Sequence, residues 1–250
     1  MIKFFRHIRQ RLVSKNKFSK YLIYAIGEII LVVLGILIAL QINQNAENKK
    51  TNNTRKDYYV QLLEDLNKDK QFANEIIKLF EKDREEYNTY LEIYSAIDLS
   101  PSQVYDHLMT LNIMSTPLSF NSNTIESLRS SGEIILIPLT IRNKLIDVLR
   151  FQEEVLKSSD YSDKGKNNVL QDLGIYRGAS TLDSRLQNQS QLKSYLEFDK
   201  NMPQIILGLD AVQRWKEVSE NDSISYLKLM TEDIDVVIDL IELELTKHEG

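Results

Sequence analysis

The stretch YAIGEIILVVLGILIAL, Tyr24 to Leu40, carries a single charge, Glu28. Extended back to Tyr21 it makes twenty residues, about 30 Å as a helix, which is the thickness of a hydrocarbon core. A membrane span at residues 21–42 is therefore expected. The run is longer than the ~7–15 apolar residues of a cleaved signal peptide, and no A-x-A site follows it. It reads as a retained signal-anchor.

The flanks orient the span. Lys3, Arg6, Arg9, Arg11, Lys15, Lys17 and Lys20 precede it, and Lys49, Lys50, Arg55 and Lys56 follow it up to Val60. The excess on the first side puts the N-terminus in the cytoplasm. In a Gram-negative cell the anchor then lies in the inner membrane, with residues 46–250 periplasmic. Ile2, Phe5, Ile8 and Leu12 recur at helical spacing between those basic residues. Residues 1–20 are thus expected to form a basic amphipathic segment on anionic lipid.

Glu28 needs a reason, because a carboxylate in a membrane marks function by default. Tyr21 and Tyr24 mark the headgroup level, and Glu28 lies one turn deeper, within reach of water or Lys20. A second reading comes from spacing. Glu28, Gly35 and Ala39 fall on one stripe, and Gly35-x-x-x-Ala39 is a small-xxx-small pair that lets two backbones approach closely. Those three residues are the expected face for association with another span.

Beyond the membrane the chain changes character. Residues 1–45 hold seven Lys/Arg and one Glu, a charge of +6, so a net charge of −5 leaves −11 for the rest. An acidic body offers no extended basic face for nucleic acid. Four prolines and eight glycines in 250 residues favour long helices over a turn-rich β fold. Residues 43–56, Asn-rich and polar, form a juxtamembrane linker or continue the span into water. Residues 57–250 form an acidic helical domain.

Within that domain Tyr59, Leu63, Leu66, Ala73, Ile77, Phe80, Tyr87, Leu91 and Tyr94 recur near a 3.5-residue period, interrupted by Lys70 and Arg84. Such a seam fits a bundle helix or an imperfect coiled coil. Ser100-Pro101 starts a short helix reaching about Met114. Asn123-x-x-Glu126 reads as a capping box for another, which Gly132 ends. Pro138 opens a helix with the stripe Ile141, Leu145, Val148, Leu149, Val155 and Leu156. Residues 158–180, with SSDYSDKGKNN and GIYRGAS, read as a break, and a helix is expected over 183–198. A last helix runs from Pro203 to about His248, with a kink near Ser219–Ser223. Its inner face is Ile224, Leu227, Ile234, Val237, Ile238, Ile241 and Leu245. The expected fold is all-α: one N-terminal transmembrane helix plus an extramembrane bundle. Its two long helices, near 55–97 and 203–247, pack antiparallel, and shorter helices complete the far end.

MIKFFRHIRQRL, NKFSKYLIYAIGEIILVVLGILIALQIN and TIESLRSSGEIILIPLTIRNKLIDVL together resemble a family of uncharacterised single-span membrane proteins of Bacteroidota with a domain of unknown function. The likeness covers nearly the whole chain. It implies an anchored helical protein and no assigned activity. Gln44 stands where that family's exit sequence is expected to carry Trp.

The chemistry-bearing patterns are few. Cysteine is absent, and His7, His107 and His248 are far apart with no H-E-x-x-H or Glu-x-x-His. Asp160 to Gly165 imitates a calcium loop but puts Lys164 and Gln171 where oxygen ligands belong, so it reads as a turn. No Gly-rich phosphate loop or G-x-S-x-G elbow occurs. No metal, cofactor or catalytic residue is expected. Trp215 is a packing residue between helices or an exposed anchor. The expected function is a non-enzymatic interaction or scaffold protein of the envelope, a homo-oligomer or bound to an envelope partner. The alternatives are a periplasmic sensory or ligand-binding module signalling through a partner, and a subunit of a proton- or ion-coupled assembly using Glu28.

Overall fold

The structure is a computed structural model that describes residues 18–96, 98–178 and 181–247. Seven α-helices and two short 3-10 turns make up the described chain, and it contains no strand. The helices are α1 (Phe18–Ala96), α2 (Pro101–Thr110), α3 (Asn123–Ser130), α4 (Leu139–Arg177), α5 (Leu182–Leu186), α6 (Ser190–Tyr195) and α7 (Met202–Lys247). The chain divides into two compact units, Met1–Asp57 and Tyr58–Gly250.

In the first unit the described residues are helical throughout, including 43–56. The apolar window of α1 is long enough to cross a membrane and none of it is buried. Leu22 through Ile42 expose leucine, isoleucine and valine on every side. This stretch is apolar all round and uncovered by the other described residues. The basic residues Lys3, Arg6, Arg9, Arg11, Lys15 and Lys17 and the amphipathic pattern of residues 1–12 lie outside the described residues, as does the Lys20 side chain.

The second unit is built on three long helices. Contacts between α1 and α7 pair Lys70 with Asp235, Glu81 with Lys228, and Asp83 with Lys216. The partner number falls as the α1 number rises, so these helices are antiparallel, as the sequence predicts. The third long helix, α4, was not expected at this length. It also runs antiparallel to α7: Lys144 meets Asp233 and Ser158 meets Asp222.

The reading of residues 158–180 as a break is corrected by this helix, which continues to Arg177 and stops at Gly178, φ 64°. Turn-forming residues lose here to packing. Gly165 sits where a Cβ would stand 2.7 Å from the Trp215 ring, so glycine lets the indole lie against the α4 backbone. Tyr161 meets the same ring edge-on at 5.9 Å. Trp215 is thus half-buried between α4 and α7. Across Ser219–Ser223, where a kink is expected, α7 continues as one helix, and Ser223 is buried on its inner face. The single helix over 183–198 becomes α5, α6 and a 3-10 turn at Phe198–Asn201.

Local signals fare unevenly. Ser100 caps α2 with a full capping box to Gln103, and Gly132 takes the left-handed conformation, φ 76°. The box at Asn123 does not form. Asn123 already lies inside α3, and the Ser122 hydroxyl donates to Glu126 Oε1 instead. Leu91, Tyr94 and Leu156 are exposed, because the helices diverge from the core phase at those positions.

Two apolar cores fill the unit. One joins α1 from Tyr59 to Phe80, α4 from Ile141 to Val155, α7 from Leu227 to Ile241, and Ile125, Leu128 and Ile137. The other joins Tyr87 and Tyr90 to α2, Leu173, Leu186, Phe198, Ile205 and Leu209.

Gly165→Leu should drive the indole out of its place. The expected loss is about 1–3 kcal/mol, typical of overpacking. Trp215 is the only tryptophan. Its emission should therefore shift to the red, and chemical denaturation followed by that emission would check both effects.

Candidate functional site

Between the two cores the three long helices turn polar at one level. α1 contributes Asp83 and Arg84, α4 contributes Ser162 and Lys166, and α7 contributes Gln213, Lys216, Glu220 and Ser223. All eight are buried. On α7 they keep the core phase of Leu209, Val212 and Leu227, so the helix periodicity itself points them inward.

The charges compensate one another. Lys216 Nζ lies 2.9 Å from Asp83 Oδ2 and 3.0 Å from Glu220 Oε1, and donates to the Met114 carbonyl at 3.4 Å. Its three protons thus have three acceptors. Arg84 Nε pairs with Glu220 Oε2, and the guanidinium lies 5.3 Å from the centre of the Tyr87 ring. Lys166, 2 % exposed, pairs with Asp163 Oδ1 at 3.0 Å and donates to the Ser115 hydroxyl. Burial pushes the Glu220 carboxyl above its ordinary range, and Lys216 and Arg84 pull it back only in part.

These side chains hold a strap. Residues 111–122 have no regular structure and run between α2 and α3. Asn112 donates to Asp83 Oδ2 at 2.8 Å, and its own carbonyl accepts from Gln213 at 3.3 Å. Ser115 donates to Asp163 at 2.6 Å. At the far end of the strap, Asn121 donates twice to Asp69 Oδ1, each at 2.8 Å, and Gln152 donates to Asp69 Oδ2 at 2.7 Å. Phe120 packs edge-on against Phe72, ring centres 5.7 Å apart. Desolvation raises the Asp69 carboxyl as well, against the hydrogen bonds from Asn121 and Gln152.

The chemistry open to this layer is narrow. The cleft beside Ser115, Lys166, Trp215 and Lys216 has about 20 Å³ of free space. That is room for a water and far less than a small-molecule pocket of roughly 300 Å³ or more. A serine–lysine nucleophile needs a neutral amine, whereas Lys166 is ion-paired with Asp163. Asp160 to Gly165 is helical, with Lys164 on Asp160 at 2.5 Å, so it is neither a turn nor a calcium loop. Among the described residues no group of three or more ligating side chains converges for a metal. His107 packs edge-on to Tyr90, 6.2 Å between ring centres.

The site residues predicted on the span stand in the first unit. Glu28, Gly35 and Ala39 are helical, and beyond the neighbouring backbone of its own helix no described residue lies within 4 Å of where a Gly35 Cβ would be. At about 100° per residue the three positions fall within a sector of about 40°. The polar layer, by contrast, was missed by the sequence reading except at Arg84. Its signal was available as charge in core phase, at Lys216 and Glu220 on α7.

No known protein family, curated protein or solved structure matches the chain.

Lys216→Met removes the cation that pairs with both Asp83 and Glu220 and leaves two buried carboxylates less compensated. The expected cost is about 3–5 kcal/mol, with faster proteolysis inside residues 111–122. The acid limb is a second check. Glu220 and Asp69 bind protons more readily folded than unfolded. Their contribution to stability is therefore complete below the ordinary carboxylate value of about 4 and is lost as pH rises through the raised folded values. Glu220→Gln should flatten that part of the stability profile, read by denaturant titration at a series of pH values.

Proposed function

We propose that this chain is a membrane-anchored, non-enzymatic interaction protein of the cell envelope that associates through its span. The observation that carries the reading is the uncovered apolar window of α1, with open space at Gly35 on the stripe it shares with Glu28 and Ala39. In a bilayer the leucines and isoleucines are satisfied by lipid, so a helix partner gains most where small residues allow backbone contact. Glu28 on that stripe can hydrogen-bond across the pair instead of facing lipid.

The charge bias supports an inner-membrane anchor with residues 1–20 cytoplasmic on anionic lipid and residues 46–250 periplasmic. The resemblance to single-span Bacteroidota proteins implies an anchored helical protein, which agrees with the anchor. The partner is another copy of the chain or an envelope protein. The polar layer supports a scaffold over a sensor, because its charges are spent on internal pairing and the cleft beside Lys166 and Lys216 has room only for water.

The absence of cysteine makes the span directly testable. Ile42→Cys lies on the proposed stripe and Leu37→Cys lies on the opposite side. Oxidation in native membranes should give a dimer from the first and little from the second. Gly35→Leu should suppress the cross-link strongly, and Glu28→Gln should weaken it. Equal cross-linking from both positions would remove the stripe as an interface.

A further inference from the structure

The core face of α7 leaves its outer face unexplained. Five large apolar residues of this helix are exposed: Leu207, Val218, Leu229, Val236 and Leu243, from 37 % at Val218 to 71 % at Leu207. They are spaced by 11, 11, 7 and 7 residues. Both steps return a helix to nearly the same side, so all five fall within about 40° of one another along about 54 Å. Scattered exposed leucines are ordinary on a protein surface, but a single file with this period is the seam of a helix–helix contact. The stripe is centred about 160° round the helix from core residues such as Ile234, so the bundle does not use it.

The charges beside the stripe say what covers it. Arg214, Lys228 and Lys247 are each spent on a carboxylate of this chain, Glu217, Glu81 and Glu244. Asp210, Glu232 and Asp239 flank the stripe and make no ion pair among the described residues. The seam thus presents an apolar file with uncompensated negative charge along its edge. A second copy fits poorly. Side by side in parallel, the acid-bearing edge faces the opposite edge of the copy, where Lys247 is already paired with Glu244. Antiparallel about the middle of the stripe, Asp210 comes level with Asp239. Neither pairing gives Asp210, Glu232 and Asp239 a counter-ion, and the second sets like charges together at the seam.

We propose that the outer face of α7 is the docking surface for a basic amphipathic helix of a protein partner, with apolar residues in the seam and Lys or Arg beside Asp210, Glu232 and Asp239. This deepens the reading of the chain as an interaction protein and rests on it for its biological sense. The geometry of binding is helix against helix, with the apolar file giving affinity and the acids giving orientation and encounter rate.

The test uses the full chain carrying Gly35→Leu, in nanodiscs of uncharged phosphatidylcholine, so that pairing of the spans does not contribute. The probe is a fluorescent synthetic peptide of about four heptads, with leucine in the seam positions and lysine flanking them. Its anisotropy is read against empty nanodiscs. The chain should bind it in the micromolar range. Leu229→Gln/Val236→Gln/Leu243→Gln should weaken binding by about tenfold, the loss expected when apolar anchors are removed, with helicity unchanged. Asp210→Asn/Glu232→Gln/Asp239→Asn should weaken it severalfold and flatten its salt dependence. Glu85→Gln/Glu92→Gln on α1 should leave it unchanged, and a glutamate-flanked peptide should not bind. Affinity that is absent, or equal in chains with and without the seam substitutions, overturns the proposal. So does sedimentation showing a dimer that the seam substitutions abolish, since the occupant is then a second copy. Failure of span association appears instead in the Ile42→Cys cross-linking and leaves the peptide titration untouched.

Discussion

The constraint on which the second unit depends is the mutual neutralisation of Asp83, Arg84, Lys216 and Glu220 between two apolar cores. Taken singly, each of these charges in a low-dielectric interior is costly. Together they form a layer in which every member has a counter-ion at contact distance. That requirement fixes the helices along their axes. α1 and α7 can slide past each other over leucines at modest cost, but not past a level where a lysine must meet an aspartate. Burial holds the Glu220 carboxyl above its ordinary range although Lys216 and Arg84 both face it.

The same layer explains why residues 111–122 are ordered without secondary structure. An irregular segment carries backbone and amide groups that need partners. Here Asp69, Asp83, Gln213 and Lys216 supply them from the helices. The strap in turn gives the polar side chains acceptors and donors that the helices cannot give one another. Polar interior and irregular loop are two halves of one hydrogen-bonded arrangement. Glycine takes a related part at the helix contacts. Gly165 meets Trp215 and Gly208 meets Leu173 where α4 and α7 come closest, and a Cβ at either place would collide.

The first unit has a different surface. Its leucines and isoleucines have no core to enter, and its glycines at 27 and 35 face open space. In the body, exposed apolar residues on α7 are confined to one file, whereas on the span they surround the helix. The contrast between all-round and one-sided exposure separates a helix long and apolar enough to cross a membrane from a helix with a second, narrower face.

Much of this was legible without the structure. The apolar run from Tyr24 to Leu40, the caps at Ser100 and Gly132, and the antiparallel pairing of α1 with α7 follow from local chemistry and period. Those depend on residues near in sequence, where helix geometry leaves little choice. What only the tertiary structure decided lies where local and long-range preferences conflict. Ser158 to Asn168 has the composition of a turn, and it is helical because Trp215 needs Gly165 and because Lys166 finds Ser115 and Asp163. Lys216 and Glu220 have the composition of a surface, and they are buried because Asp83 and Arg84 wait at the same level. A turn signal acts over a few residues and is worth about 1 kcal/mol per position, while a packed ring or a compensated buried charge is worth several times that. Partners from α1, the strap and α4, remote in sequence, overruled the local signal.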